Sequence, residues 1–464
     1  MNCSVKRILI SGVMSGSGKT TVTVTLLGLL LKKGLKVNAF KCGPDYIDPL
    51  FHEKVLSIPS GNLDPVFQDE ELMRCIFGEK SRGSDIAVTE GVMGYYDGLS
   101  FGSAEMSSYE CGKILKSPVI LVINAKGMSY SLIAVLKGMK ELKEDSNIRG
   151  VILNNIPESV YLGLKPVIER ETGIRLLGYL PHVRGAEIES RHLGLFQPGE
   201  TDDPEGKIKK LVDAGERSLD LPGILQISEE AGNLSYDENY REKLIKEAGI
   251  EDAGNIPVAI ARDEAFSFIY EDNLDILKRC SVKPVFFSPL RDRELPKGIK
   301  GCIFFGGYPE LYLKGLSENK SMLSSVRNAL SSGLPCLAEC GGYMYLHETI
   351  YDTGGEGYRV TSFFPGSEAS FSGSLRHFGY VSLSTENDNP FVKKGESLKA
   401  HEFHYYDTTK EGGVMDIRKI SGRGSAYRGM TLKSNTFAGF PHFYYYGNLP
   451  LIKNFLELCR RRDS

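Results

Sequence analysis

The segment from residue 8 to residue 21, "ILISGVMSGSGKTT", constrains the fold most, because it places a glycine-rich turn between an apolar strand and a helix. A phosphate-binding P-loop needs that context, which disfavours the alternative of a turn that binds no nucleotide. Lys19 is expected to reach the β- and γ-phosphates, and Thr20 to ligate magnesium. Five residues separate Gly12 from Gly18, one more than in the strict pattern. The backbone N–H groups expected to surround the phosphates are those of Ser15, Gly16, Ser17, Gly18 and Lys19.

The order of predicted elements indicates two α/β domains. A chain of 464 residues is too long for one hydrophobic core. Near-continuous apolar strands such as "KRILIS", "SDIAVTE" and "SPVILVINA" alternate with helical stretches, which is typical of a parallel sheet covered on both faces. This alternation stops in charged sequence between residues 200 and 255 and resumes at "NIPVAIA". We therefore predict a first domain at 1–225, a linker region at 226–254 and a second α/β domain at 255–464.

Composition excludes several classes of protein. The net charge of −3 and the absence of a long basic run argue against nucleic acid as a partner. The longest apolar stretch, "LLGLLL", is far shorter than a membrane span. The N-terminal residues lack the features of a signal peptide, so a cytoplasmic protein is expected. Nine cysteines without a C-x-x-C pair indicate reduced thiols.

Two further loops place acidic residues after predicted strands. Because the carboxyl ends of parallel strands form one crevice, these side chains are expected to lie near the P-loop. Asp45 and Glu90 could hold magnesium opposite Thr20, since that ion prefers hard oxygen ligands. Each acid alone could be a turn former or helix cap, but as a set they favour catalysis. The residues concerned are Lys41, Asp45 and Asp48 in "FKCGPDYIDP" and Glu90 and Asp97 in "VTEGVMGYYDG".

The segment "LPCLAECGGYMYL" is a candidate nucleophile site. Cys340 follows an apolar strand and precedes two glycines at the predicted start of a helix, where a thiol pKa is expected to be lowered. The N–H of Gly341, with one from Gly306 or Gly307 in "FFGGYPE", could stabilise an oxyanion. A lone cysteine after an apolar run is more often a core residue, but the neighbouring glycine loops favour catalysis.

Eight stretches, taken together, resemble the cobyrinic acid a,c-diamide synthase family. They run in order along nearly the whole chain: "SGVMSGSGKTT", "KCGPDYIDP", "GNLDP", "TEGVMGYYDG", "SRHLGL", "FFGGYPE", "AECGGYMYL" and "HEFHY". The resemblance implies an N-terminal P-loop parallel-sheet domain like that of dethiobiotin synthetase. It also implies a C-terminal domain of the class I glutamine amidotransferase type. Members use ATP, Mg²⁺ and glutamine to amidate the a and c acetate carboxylates of a corrinoid, through acyl phosphates, in cobalamin biosynthesis.

The resemblance also implies residue roles. His442, in "GFPHFYYY", matches the catalytic histidine of the glutaminase domain, and Asn154 matches the position that reads the nucleotide base. Many relatives carry a glutamate two residues after that histidine, where this chain has Tyr444, so the residue that orients His442 stays open. The implied ligase centre comprises Asp45, Asp48, Glu90 and Asp97, and the implied nucleotide site includes Lys19, Thr20 and Lys41.

Several alternatives remain open from the sequence. The macrocycle could be nickel sirohydrochlorin, the substrate of a sister group. The chain could instead be a ligase that uses carbon dioxide, or a P-loop switch ATPase with an inactive glutaminase module. His401 and His404 are interpreted as structural or channel-lining, and Arg191 and His192 as substrate-binding or packing residues. The sequence leaves the oligomeric state open, with a homodimer as one option.

Overall fold

The computed structural model describes residues 1–187 and 203–461 of the chain. It divides into two compact units between Tyr240 and Arg241. Both units are α/β, which confirms the predicted fold class. No helix in the described residues is both long and apolar enough to cross a membrane.

The first unit is built on a seven-stranded sheet in the order β4-β3-β5-β2-β6-β7-β8. Every neighbouring pair in it is parallel, so all seven carboxyl ends lie at one edge. A two-stranded antiparallel pair, β1 with β9, completes the strands of this unit. The strands are β1 (Asn2–Cys3), β2 (Lys6–Gly12), β3 (Val37–Cys42), β4 (Ser60–Leu63), β5 (Ile86–Glu90), β6 (Val119–Asn124), β7 (Ile148–Asn154), β8 (Arg175–Leu180) and β9 (Leu234–Ser235).

Helices connect the parallel strands, because parallel neighbours need a crossover connection. The predicted P-loop helix is confirmed: it starts at Lys19 and ends before Gly34, whose φ of 75° suits a residue without a side chain. Its first turn has no acidic residue and no side-chain cap, which leaves its N–H groups available to an anion. The helices are α1 (Lys19–Lys32), α2 (Ile47–Leu56), α3 (Glu70–Lys80), α4 (Ser108–Ile114), α5 (Ser131–Glu141), α6 (Glu158–Thr172), α7 (Pro204–Ser218) and α8 (Leu221–Glu229).

The interval predicted as a linker region, 226–254, contains secondary structure. It includes the end of α8, the strand β9 and a further helix, α9 (Tyr240–Glu247). The division between the two units falls within it. Its assignment as a linker, and the domain limits 1–225 and 255–464, stay predictions.

The second unit has a six-stranded sheet in the order β11-β10-β12-β13-β23-β22. All pairs are parallel except β22 with β23. The helix α12 (Lys320–Ser331) lies between "FFGGYPE" and "LPCLAECGGYMYL" and buries its apolar residues Met322, Leu323, Val326 and Leu330. The strands are β10 (Ile256–Ala261), β11 (Val282–Phe287), β12 (Gly301–Phe304), β13 (Cys336–Glu339), β22 (Thr431–Lys433) and β23 (Thr436–Gly439); the helices are α10 (Glu271–Arg279), α11 (Leu313–Glu318), α12 (Lys320–Ser331), α13 (Gly341–Tyr345) and α14 (Leu449–Arg461).

Two smaller sheets of the second unit are formed by strands between residues 349 and 443. A five-stranded antiparallel sheet has the order β21-β20-β17-β18-β24, and a four-stranded sheet has the order β15-β14-β16-β19. Their strands are β14 (Thr349–Tyr351), β15 (Gly357–Arg359), β16 (Glu368–Phe371), β17 (His377–Ser384), β18 (Ser397–His404), β19 (Tyr406–Thr408), β20 (Met415–Lys419), β21 (Tyr427–Gly429) and β24 (His442–Phe443).

Candidate active sites

The P-loop joins β2 to α1 and packs closely against the end of β7. Gly16 and Gly18 have φ angles of 78° and 92°, which only glycine adopts at little cost. A Cβ atom at Gly18 would lie 1.9 Å from the Asn154 amide nitrogen. Asn154 donates a hydrogen bond of 3.2 Å to the carbonyl of Ser17. The side chain of Asn154 therefore supports the loop backbone, and its reading of a base stays a prediction.

Lys19 lies inside the loop, where backbone carbonyls hold its ammonium group. Its Nζ donates to the carbonyls of Met93 at 2.5 Å and Met14 at 3.3 Å. Burial, and then the positive charge of Lys41, lower the pKa of Lys19 to about 8. The carbonyl of Met93 comes from the "TEGVMGYYDG" loop, so the P-loop and this second loop share one site.

A buried charge cluster lies at the same edge of the sheet. Lys41 Nζ is 2.5 Å from Asp48 Oδ2 and 2.7 Å from Glu90 Oε1. Thr20 Oγ1 also donates to Glu90 Oε1, at 2.6 Å. Lys41 and Glu90 are register partners on β3 and β5, so strand pairing itself brings them together. The structure thus brings together two residues of the predicted ligase centre, Asp48 and Glu90, and two of the predicted nucleotide site, Thr20 and Lys41.

The charges of the cluster perturb one another. Burial and then the charge of Asp45 raise the pKa of Asp48 to about 8. Burial disfavours the charged form of Lys41, but the nearby carboxyl groups of Asp48 and Glu90 outweigh the effect of burial and raise the pKa of Lys41. Burial likewise opposes the charge of Glu90, and Lys41 reverses this to lower the pKa of Glu90. Titratable groups with shifted pKa values in a crevice are typical of catalytic centres.

Asp45 and Asp97 make local backbone contacts. Asp45 Oδ1 accepts from the N–H groups of Ile47 at 2.9 Å and Asp48 at 3.2 Å, as a helix-start residue does. Asp97 Oδ2 accepts from the N–H of Gly94 at 2.9 Å. Both carboxylates still act on the site, because Asp45 influences Asp48 and Asp97 influences Lys19. Their catalytic roles stay predictions.

Sequence reasoning missed His52, which lies on α2 one turn after Asp48. Its side chain is buried, and Nδ1 lies 3.1 Å from Ser60 Oγ. Burial lowers its pKa to about 4, and Glu90 and Lys41 are the charged groups that act on the ring. The i, i+4 spacing of Asp48 and His52 was the available signal, because it places both residues on one helix face.

In the second unit, Cys340 occupies a sharp strand-to-helix turn between β13 and α13. Its φ of 47° and ψ of −108° are unfavourable for a residue with a side chain, and such strain concentrates at functional sites. Its N–H donates to the carbonyl of Gly439 at 2.7 Å, which ties the turn to β23. The residue is 6% exposed. The predicted position at the start of a helix is confirmed.

His442 and the glycine loops meet at this turn. A Cβ atom at Gly306 would lie 2.2 Å from His442 Cε1, so the imidazole lies directly over Gly306. A Cβ atom at Gly341 would lie 3.1 Å from the nitrogen of Gly307. The "FFGGYPE" loop therefore contacts both the residue after Cys340 and the imidazole, as an oxyanion hole beside a base would require.

The expectation of a lowered thiol pKa is wrong for this structure. Burial raises the pKa of Cys340, and Glu310 adds to that effect, whereas the N–H of Gly341 opposes it. Burial also lowers the pKa of His442 to about 3. Desolvation of both groups outweighs the helix terminus, so the thiol and the imidazole are both neutral at pH 7.

The residue two positions after His442 in the sequence is not a carboxylate. Tyr444 stands there, and its hydroxyl donates to Asp272 at 3.0 Å. His401 faces His442 directly across β18 and β24. His404 stacks on Phe440, with ring centroids 3.8 Å apart. Both additional histidines are buried, as a structural role requires.

One predicted motif cannot be placed. Arg191 and His192, with the rest of "SRHLGL", lie outside the described residues. Their roles in substrate binding or in packing stay predictions.

Comparison with known proteins gives full-length relatives. The family model described as the CobQ/CobB/MinD/ParA nucleotide binding domain matches residues 8–195, and the model described as the CobB/CobQ-like glutamine amidotransferase domain matches residues 257–448. The cobyrinate a,c-diamide synthase of Clostridium acetobutylicum is 37% identical, and that of Clostridium tetani is 38% identical; each match covers 98% of this chain and 100% of the relative. That of Picrophilus torridus is 36% identical, over 98% of this chain and 99% of the relative.

Proposed function

The chain belongs to the cobyrinate a,c-diamide synthase family, and on this premise we propose that it amidates the a and c acetate carboxylates of cobyrinic acid with ATP and glutamine. One observation supports this most strongly. A buried lysine–carboxylate cluster beside a P-loop lies in one unit; in the other, one glycine loop contacts both the residue after Cys340 and the imidazole of His442. A ligase needs the first centre, and a glutaminase needs the second.

The ligase centre has to activate a carboxylate, because its oxygen is a very poor leaving group. The acetate oxygen attacks the γ-phosphorus of ATP, ADP leaves, and the product is an acyl phosphate. Lys19 stabilises the charge on the transferring phosphoryl group, and the N–H groups from Ser15 to Lys19 hold the other phosphates. Ammonia then attacks the acyl carbon, phosphate leaves, and one proton is released.

Magnesium fits this centre. Glu90 Oε2 is buried and has no hydrogen-bond partner among the described residues, while Oε1 is held by Thr20 and Lys41. Thr20, Asp45 and Glu90 would provide the hard oxygen ligands that magnesium requires. The bound ion would neutralise charge on the β- and γ-phosphates.

The second centre releases ammonia from glutamine. His442 takes the proton of the Cys340 thiol, and the sulfur attacks the side-chain amide carbon. The N–H of Gly341, with that of Gly306 or Gly307, stabilises the tetrahedral oxyanion. His442 returns the proton to the leaving nitrogen, so ammonia departs and a thioester remains. Water then hydrolyses the thioester to glutamate and restores the thiol.

Direct assay of products tests the function. The purified protein is incubated with ATP, glutamine and either cobyrinic acid or nickel sirohydrochlorin, and the products are weighed by mass spectrometry. We expect two successive mass losses with cobyrinic acid, each that of replacing a hydroxyl by an amino group. Amidation of nickel sirohydrochlorin alone would reassign the substrate. An ATP hydrolysis rate that does not depend on either carboxylate substrate or on glutamine would instead favour a switch ATPase.

The cellular setting follows from the substrates. ATP and free glutamine are cytoplasmic metabolites, so the cytoplasm is the proposed compartment. A homodimer stays a prediction.

A further inference from the structure

The buried face of α2 carries two polar residues toward the ligase centre. Asp48 and His52 lie four residues apart, so their side chains are neighbours on one face of the helix. Asp48 pairs with Lys41, which also contacts Glu90. His52 is therefore next to the charge cluster, yet the reaction described above gives it no role.

Ser60 fixes one side of the imidazole. This residue begins β4, and its Oγ lies 3.1 Å from His52 Nδ1. A buried, neutral imidazole carries one proton, on either Nδ1 or Nε2. If the serine hydroxyl donates to Nδ1, the ring proton must be on Nε2, at the opposite side of the ring.

Two buried polar atoms at this site lack hydrogen-bond partners among the described residues. They are His52 Nε2 and Glu90 Oε2. Leaving such an atom unsatisfied costs about 1–3 kcal/mol, so an interaction that satisfies both atoms would stabilise the site. A carboxylate oxygen can only accept, and an Nε2–H can only donate, so the two atoms are complementary. Glu90 is also the foremost charged group acting on the ring.

We propose that His52 is a positioning residue of the ligase centre, whose Nε2–H holds Oε2 of Glu90 through one water molecule. Oε1 of Glu90 then stays directed at Thr20 and Lys41, and the second lone pair of Oε2 is kept for magnesium. Ser60 supports this arrangement by setting the tautomer of the ring. The expected effect on kcat rests on the proposed function, whereas the expected tautomer of His52 does not.

Nitrogen-15 NMR of the histidine rings tests the tautomer without any turnover. The full chain has eight histidines, and the His52→Gln variant identifies the signals of residue 52. We expect an unprotonated Nδ1 and a protonated Nε2 in the wild-type protein. The Ser60→Ala variant should shift the Nδ1 signal, because it removes the hydroxyl donor. A wild-type ring protonated on Nδ1 would overturn the proposal.

Two substitutions at residue 52 test the positioning role. Glutamine keeps an N–H donor near the place of Nε2, whereas leucine keeps the approximate volume without a donor. Loss of a group that orients a metal ligand costs about 10–100-fold in activity or metal affinity. We expect His52→Leu to lower kcat for ammonium-dependent amidation by about tenfold or more and to raise the Mg²⁺ concentration for half-maximal rate. His52→Gln should retain most of the rate.

The outcomes separate the possibilities. Equal losses in folded His52→Leu and His52→Gln proteins, or no loss with leucine, would overturn the proposal. If His52→Leu does not fold, Ser60→Ala decides: a lower kcat with an unchanged KM for ATP supports the proposal, and wild-type kinetics contradicts it. If the wild-type protein amidates nothing, the proposed function fails, and the NMR result still decides the tautomer.

Discussion

The Gly306→Ala substitution should displace the imidazole of His442 and little else. The backbone of Gly306 does not need a left-handed conformation, and alanine keeps the N–H group. The added Cβ would lie 2.2 Å from His442 Cε1, whereas ordinary contact begins at 3.4 Å. The ring must therefore retreat by about 1.2 Å.

A catalytic group displaced by about 1 Å typically costs about 100-fold in rate, or about 2.7 kcal/mol of transition-state stabilisation. We expect a loss of that size in kcat/KM for glutamine hydrolysis, measured as glutamate released. Ammonium-dependent amidation should be unchanged, because it does not use His442. The matched control is Gly413→Ala, since a Cβ there meets no atom within 4 Å. If Gly306→Ala hydrolyses glutamine at the wild-type rate, His442 is not the base at this position.

Three further predictions concern the two centres. Gly18→Ala should weaken ATP binding by about tenfold or more in calorimetric titration, since its φ is 92° and the new Cβ would lie 1.9 Å from Asn154 Nδ2. Lys41→Met leaves the buried carboxylate of Glu90 without the cation that it contacts and should lower the free energy of unfolding by about 3–5 kcal/mol in urea at pH 7; adding Glu90→Gln should restore part of it. Because burial raises the pKa of Cys340, the thiolate fraction of this residue keeps increasing as the pH rises from 6 to 9. The rate of alkylation by iodoacetamide should therefore increase about tenfold per pH unit over that range, after subtraction of the rate measured with Cys340→Ser. A plateau near neutral pH would indicate a thiolate–imidazolium pair instead.

Local signals were sufficient to predict the elements that carry the two sites. Apolar runs bounded by glycine and charged residues predicted β3 and β5, and the glycine-rich turn before Lys19 predicted the start of α1. The contact of Lys41 with Glu90 depends on β3 pairing with β5, which no local pattern specifies. The sequence therefore indicated candidate residues for the ligase centre, but not which atoms meet.

Long-range packing accounts for what sequence reasoning missed. The contact of His52 with Ser60 forms only when α2 packs against β4, so the spacing of Asp48 and His52 alone did not show how the ring is held. The thiol pKa was predicted from the helix start at Gly341 alone, whereas burial of Cys340 dominates and depends on the whole fold. Likewise, the pairing of His401 with His442 joins strands about forty residues apart in sequence.

The central claim is that one chain produces ammonia at Cys340 and consumes it at the P-loop centre. The most direct test compares wild-type protein with Cys340→Ser, supplying either glutamine or ammonium chloride at raised pH, and weighs the macrocycle products. We expect the variant to make no amide from glutamine and to keep its amidation with ammonium. Full activity with glutamine, or loss of both activities in a folded variant, would contradict the claim.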